Sequence, residues 1–212
     1  MQTEGPRNMD PADHTATLTA TILDPMYEGL VRQTAAAGTS PLLATRWTRS
    51  ADGMTWTFDL RDGVRFHDGS NLDAAAVVAS FRRLIDPNSA LAATGKFAPV
   101  IASVEAVNER QVQFRLEKPY ADFLTLLGAN QASVVSPRAI ATGAVSRRAS
   151  GTGPFAFVAW RSGESVVQRR NPRYWGAPAA VESCEPAVHS GGCGFWRGLG
   201  NTARGGKSKY LP

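Results

Sequence analysis

Few side chains in this sequence are arranged to carry chemistry. His67 precedes Asp68, the pairing in which a carboxylate orients a general base. No serine sits in a G-x-S-x-G elbow, so His14 and His67 gain no nucleophile from local context. Gly151-Thr152-Gly153-Pro154 has glycines of the kind that cradle phosphate, yet no P-loop lysine follows and Pro154 lacks a backbone donor. Cys184, Cys193 and His189 fall in the last thirty residues and are too few for a metal-site pattern. Arg147-Arg148 and Arg169-Arg170 present guanidinium forks that suit a carboxylate. Each feature has a plainer reading, and the plainer one is preferred. His67-Asp68 caps the turn at Gly69, Gly151 to Pro154 is a rigid turn into a strand, and the arginine pairs are solvated. No catalytic residue, metal ligand or cofactor is assigned, and the expectation is a protein that is not an enzyme.

The elements that would hold these residues follow from the apolar period. From Ala44 to Phe66, Asp52-Gly53 and Asp62-Gly63 punctuate runs of alternating character. Met54, Trp56, Phe58 and Leu60 share one face of an extended chain, and Thr55, Thr57 and Asp59 share the other. The reading is a meander: a strand through Trp47, one over 54–60 and one over 64–66, closed by Asp68-Gly69. Leu18, Ile22, Met26 and Leu30 predict a helix over 17–31, broken near Leu23–Asp24 because Pro25 removes a hydrogen bond. Val77, Val78, Phe81, Leu84 and Ile85 form a helical stripe with Asp73 as N-cap and Asp86-Pro87 as the stop. Arg82-Arg83 lies off that stripe and is expected in solvent.

Further on, 103–107 and 112–116 read as a hairpin, and 120–127 as a short helix burying Phe123, Leu124 and Leu127. A buried strand is expected at 132–135, a helical turn after Ser136-Pro137, and a last hairpin from Phe155 through Ser162-Gly163 to Gln168. The tryptophans inside strands are assigned to the core rather than to a cleft. Strands alternate with short helices without a βαβ repeat, which defines an α+β fold with a mixed, largely antiparallel sheet and packed helices.

Composition excludes several classes. The chain has 212 residues, 43% hydrophobic and 19% charged, as ordinary globular proteins do. Its net charge of +5 comes from scattered arginines, not the basic stripe of a nucleic-acid binder, so no nucleic-acid partner is expected. No run approaches the roughly 18–20 apolar residues of a membrane helix. The start, MQTEGPRNMDPAD, lacks the apolar stretch of an export signal. From Ala177 onward glycines cluster, both periods vanish, and poor packing or disorder is expected.

Four blocks, in order, resemble a known family. MDPADHTATLTAT and MYEGLV within 9–31 look like an opening "LDP…YEGL". PLLATRWTRSADGMTWTFDLRDGVRFHDG at 41–69 is similar to a family signature through Ala44, Asp52, Trp56, Phe58, Leu60, Arg61, Gly63 and Phe66. LDAAAVVASFRRLIDP resembles the helix that follows it, and GTGPFAFVAWRSGESVVQRRNPRYW at 151–175 resembles "GTGPY…RNP.YW". The family is that of the extracellular solute-binding proteins, family 5, of bacterial ABC transporters.

The resemblance implies the first lobe of a periplasmic-binding-protein-like class II fold over 9–176, after a disordered lead at 1–8 and before an aberrant tail at 177–212. Members are much longer and two-lobed, so the second lobe is expected to be missing, through a frame change near 177–182. Translating the other reading frames of the gene tests this, and a gene without a family-like continuation there refutes it. The implied function is the substrate-binding component of an ABC importer for peptides or related solutes, with the permease as partner and a periplasmic or extracytoplasmic location. Without an export signal the chain as written would stay in the cytoplasm. An effector-sensing domain of a transcription regulator and a non-functional gene remnant are the alternatives. The loop after "LDP" reaches the cleft in the family, which implies His14, Thr15 and Thr17 as ligand-facing residues. The main charged anchors of peptide-binding members lie in the second lobe, and no position here inherits them.

Overall fold

Alternation of large apolar side chains with Thr and Asp sets the central sheet, and the Asp-Gly steps set its corners. A computed structural model describes residues 6–34 and 38–184. The chain opens with α1 (Thr17–Leu23), β1 (Val31–Gln33), β2 (Thr39–Pro41), β3 (Ala44–Arg49), β4 (Thr55–Leu60) and α2 (Ala74–Ile85). It continues with α3 (Thr94–Phe97), β5 (Ile101–Asn108), β6 (Gln111–Leu116), α4 (Phe123–Leu127) and α5 (Pro137–Ala141). The hairpin β7 (Phe155–Arg161) and β8 (Ser165–Arg170) and a short β9 (Ser183–Cys184) complete it. Among the described residues every sheet pairing between these strands is antiparallel, in the orders β1-β2, β3-β4-β6-β5 and β7-β8-β9. The α+β, largely antiparallel expectation holds.

In β4, Trp56, Phe58 and Leu60 are buried and the residues between them are not, as period two requires. Gly53, Gly63 and Gly69 adopt φ of 71°, 72° and 90°, the left-handed region that Asp-Gly turns need. Asp73 Oδ1 accepts from Ala76 N at 2.8 Å and starts α2, whose Val77, Phe81 and Leu84 face the sheet. There Phe81 meets Phe114 edge-on at 4.8 Å, and Phe58 meets Phe114 at 5.5 Å. Trp56 belongs to this core, as its strand position implied.

Four local expectations are corrected. First, the helix at 17–31 ends at Leu23; Met26 is buried from the turn that follows it and Leu30 from a bend before β1. The carbonyls of Pro25 and Met26 accept from Phe155 N and Gly153 N, so they serve a distant segment rather than the next turn of a helix. Second, 64–66 forms no ladder strand; it contributes one bridge, Arg65 to Asn71, while β4 pairs with β6. Third, 132–135 is buried but not a strand: Val134 N donates to the Glu28 carbonyl and Val135 N to Ser80 Oγ, both at 2.9 Å. Fourth, α4 starts only at Phe123 and buries Leu126 beside Phe123 and Leu127, with Leu124 half-covered.

Arg83 also departs from expectation. Its side chain is only 16% exposed and forks onto the buried Asp10 carboxylate, with Nη2 donating to Oδ1 at 2.8 Å. Within 177–212, Ser183–Cys184 adds to the edge of β8, and the free Cys184 is buried. Residues 1–5 and 185–212, including His189 and Cys193, lie outside the described residues.

Candidate solute-binding site

The residue pairs that invited a catalytic reading are structural. Asp68 Oδ1 accepts from Ser70 N at 3.0 Å, and Oδ2 accepts from Ser136 Oγ. Partial burial works against ionisation, but these bonds hold the carboxyl below its usual range. His67 turns away from Asp68 and donates from Nε2 to the Gly153 carbonyl at 3.0 Å, while its backbone N–H donates to the Gly151 carbonyl. Gly151 to Pro154 is accordingly a docking strip. A Cβ on Gly151 would overlap the Met26 carbonyl oxygen, and one on Gly153 would lie 2.5 Å from the Pro25 carbonyl oxygen. The glycines let two backbones touch.

Burial lowers the His67 pKa below its ordinary 6.5, against the Gly153 bond and the Asp68 charge, which raise it. The second ring nitrogen, Nδ1, is buried without a partner. A proton there would be a donor with no acceptor. A depressed folded-state pKa contributes stability that is full above the unfolded value of 6.5 and is lost as pH falls below it. The urea midpoint is therefore expected to drop between about pH 7.5 and 5.5, and His67→Gln, which keeps an amide donor, to flatten that drop. An equal drop in the variant would remove His67 as its source.

The loop before α1 meets the 3-10 turn Asn130–Ala132. His14 Nε2 donates to Asn130 Oδ1 at 2.6 Å, and Asn130 Nδ2 donates to Asp24 Oδ1. This relay divides two concavities. One, of about 530 Å³, is walled by His14, Thr15, Asp13, Thr19 and Ala92. The other, of about 400 Å³, is walled by Asp24, Tyr27, Glu28, Arg32, Gln33, Asn130 and Ser133. Of the three residues singled out by sequence, His14 and Thr15 share the first wall. Thr17, exposed at the start of α1, is not on it. Arg147-Arg148 and Arg169-Arg170 stand on neither wall, and Arg170 pairs with Glu182 at 3.6 Å.

Glu28, which sequence reasoning passed over, is the polar hub. It is 4% exposed, and its carboxyl accepts from Thr152 Oγ1 at 2.8 Å, Tyr174 OH at 2.7 Å and Trp175 Nε1 at 2.9 Å. Burial, then the Glu28 bond and charge, push the Tyr174 pKa above its ordinary range. Arg61 covers Trp175, with Cζ 4.3 Å from the ring centroid. Two of the four sequence blocks thus meet at this carboxyl group, and a third reaches them through Arg61 on the ring of Trp175. Their signal was present as motifs, but not as a meeting point. Among the described residues no group of His, Cys, Asp and Glu is placed to hold a metal, and no helix is long and apolar enough to cross a membrane.

The sheet-and-helix fold carries two polar concavities, one on either side of the His14–Asn130 bond. Comparison with known proteins defines the class: the profile described as "Bacterial extracellular solute-binding proteins, family 5 Middle" matches residues 38–186, and the chain belongs to that family. The family binds solutes and is not one of enzymes. The chain is 32% identical over 183 residues to the probable D,D-dipeptide-binding periplasmic protein DdpA of Escherichia coli K12, covering 81% of this chain and 35% of that protein. It is 32% identical over 208 residues to di/tripeptide-binding protein 2 of Pseudomonas aeruginosa, covering 86% and 39%. Among solved structures it resembles the ABC transporter-associated periplasmic binding protein DppA of Helicobacter pylori in complex with the peptide STSA. There the TM-score is 0.79 at 29% identity, covering 86% of this chain and 40% of that one. The chain thus spans 35–40% of the length of these relatives.

Proposed function

We propose that this chain supplies the first solute-facing lobe of a binding protein serving an ABC importer of peptides or related small solutes. The observation that carries this is the pair of polar concavities joined at His14–Asn130–Asp24, on a lobe of family 5 and next to the segment that holds His14, Thr15 and Thr17. High affinity in such proteins comes from burying a solute between two walls that close by a hinge. The described residues offer one wall, and the 212 residues by themselves are expected to bind peptides weakly.

Titration calorimetry with a mixed peptide pool is expected to give no micromolar isotherm, whereas millimolar peptide is expected to shift amide resonances at His14, Thr15 and Asn130. A micromolar isotherm overturns the expectation of weak binding. Shifts that leave this region untouched overturn the placement of the site.

A further inference from the structure

The chain turns at three Asp-Gly steps, Asp52-Gly53, Asp62-Gly63 and Asp68-Gly69. Glycine has no side chain to shield its nitrogen, which can close a five-membered ring onto the preceding carboxyl carbon. The three steps differ in what that nitrogen is bonded to. Gly53 N donates to the Ser50 carbonyl at 3.0 Å and Gly69 N to the Phe66 carbonyl at 2.9 Å, so both are committed to the backbone of their turns. Their carboxyls are held by other donors. Asp52 Oδ1 accepts from Met54 N at 2.9 Å, and Asp68 accepts from Ser70 N and Ser136 Oγ. Gly63 N instead donates to Asp62 Oδ1 at 2.6 Å, which puts it beside the carboxyl carbon. The Asp62 side chain is 86% exposed, and nothing lies within 4 Å of a Cβ built on Gly63. Nucleophile and electrophile are thus in contact, in a turn open to water.

We propose that Asp62-Gly63 is a modification site, at which the folded chain converts its aspartate to isoaspartate ahead of the other two steps. Gly63 N attacks Cγ of the neutral carboxyl. Oδ2 leaves as water, taking the amide proton and the acid proton, and the succinimide keeps Oδ1. Water then adds back across one of the two ring C–N bonds. Opening at the side-chain carbonyl restores aspartate. Opening at the Asp62 backbone carbonyl leaves a main chain one methylene longer, with the mass unchanged. Arg110, whose Nη2 donates to Oδ1, and the Gly63 bond hold the carboxyl below its usual range, so the neutral acid is scarce at neutral pH and conversion gains in mild acid. The extra methylene falls between two fixed points: Arg61, whose N donates to the Leu43 carbonyl and whose guanidinium covers Trp175, and Val64, whose carbonyl accepts from Leu72 N.

The test incubates the 212-residue chain in mildly acidic buffer, with and without guanidinium chloride. Isoaspartate is then assigned to each step by proteolytic mapping and enzymatic carboxyl methylation. In the native protein it is expected to accumulate at Asp62 at least about fivefold faster than at Asp52 or Asp68, because reactants held in contact outpace freely turning ones. In denaturant the three rates are expected to converge, since each step is then only an Asp-Gly pair. Asp62→Glu, whose longer side chain cannot close the same ring, is expected to lose the signal at this step alone. Native rates at Asp52 or Asp68 that equal or exceed the rate at Asp62 overturn the proposal. A preference for Asp62 that denaturant leaves unchanged, or a signal that survives in Asp62→Glu, overturns it as well.

Discussion

Gly151→Ala is expected to cost more than about 3 kcal/mol of stability and to leave little folded protein at physiological temperature. The added methyl has no way out. It would overlap the Met26 carbonyl oxygen and lie 2.6 Å from Tyr27 Cδ1 and 2.9 Å from Tyr27 Cα, two of the three being backbone atoms. Those atoms are themselves fixed, because Met26 O accepts from Gly153 N and Tyr27 OH bonds to Met9. Close-packed interiors absorb such an overlap only by moving whole segments. Gly95→Ala is the control: nothing lies within 4 Å of its would-be Cβ, and it sits in α3, where alanine is preferred by up to about 1 kcal/mol. Urea denaturation of the two variants side by side checks the contrast. A Gly151→Ala protein within 1 kcal/mol of the parent would mean that the strip does not dock as described.

Glu28→Ala is expected to cost about 3 kcal/mol or more, for a different reason. The methyl fits, but three donors lose their acceptor: Thr152, Tyr174 and Trp175. A buried donor without a partner loses its desolvation cost outright, about 1–3 kcal/mol each before water relieves the more exposed pair. Glu28→Gln should cost distinctly less, since one oxygen can still serve Thr152 and Trp175 while the tyrosine hydroxyl accepts from the new amide. The measurement is denaturant unfolding followed by tryptophan emission, to which Trp175 contributes as one of five tryptophans. If the alanine and glutamine variants are equally stable, the carboxyl group is not the hub that its hydrogen bonds describe.

What the sequence displayed was whatever depends on neighbours within a dozen residues. The Asp-Gly corners, the Asp73 cap, the β5–β6 and β7–β8 hairpins and the Ser136-Pro137 helix start are all of that kind. The errors occur where a distant partner overrode a local pattern. Met26 and Leu30 keep the four-residue spacing of a helix, yet the carbonyls of Pro25 and Met26 accept from residues 155 and 153. Val134 and Val135 have the composition of a strand, but Ser80 and Glu28 take their backbone donors. Arg83 stands off the apolar stripe of α2 and is still largely covered, because Asp10 lies against it.

The candidate site was legible only in part. Family resemblance led to His14 and Thr15, whereas Asp24, Arg32 and Asn130 carry no pattern of their own. Asn130 matters through His14, 116 residues away, and Asp24, 106 away, and no window over the sequence joins them.

The same bonds determine when the lobe can finish folding. The β3–β4 and β5–β6 hairpins close over a few residues, but the Glu28 bonds to Thr152, Tyr174 and Trp175 span 124, 146 and 147 residues, and Gln168 reaches Ile22 across 146. Closing such loops is entropically slow and precedes the contacts that reward it. During synthesis the Glu28 carboxyl must therefore wait for its full set of donors until Trp175 has left the ribosome. That interval is when a holding chaperone has most to protect.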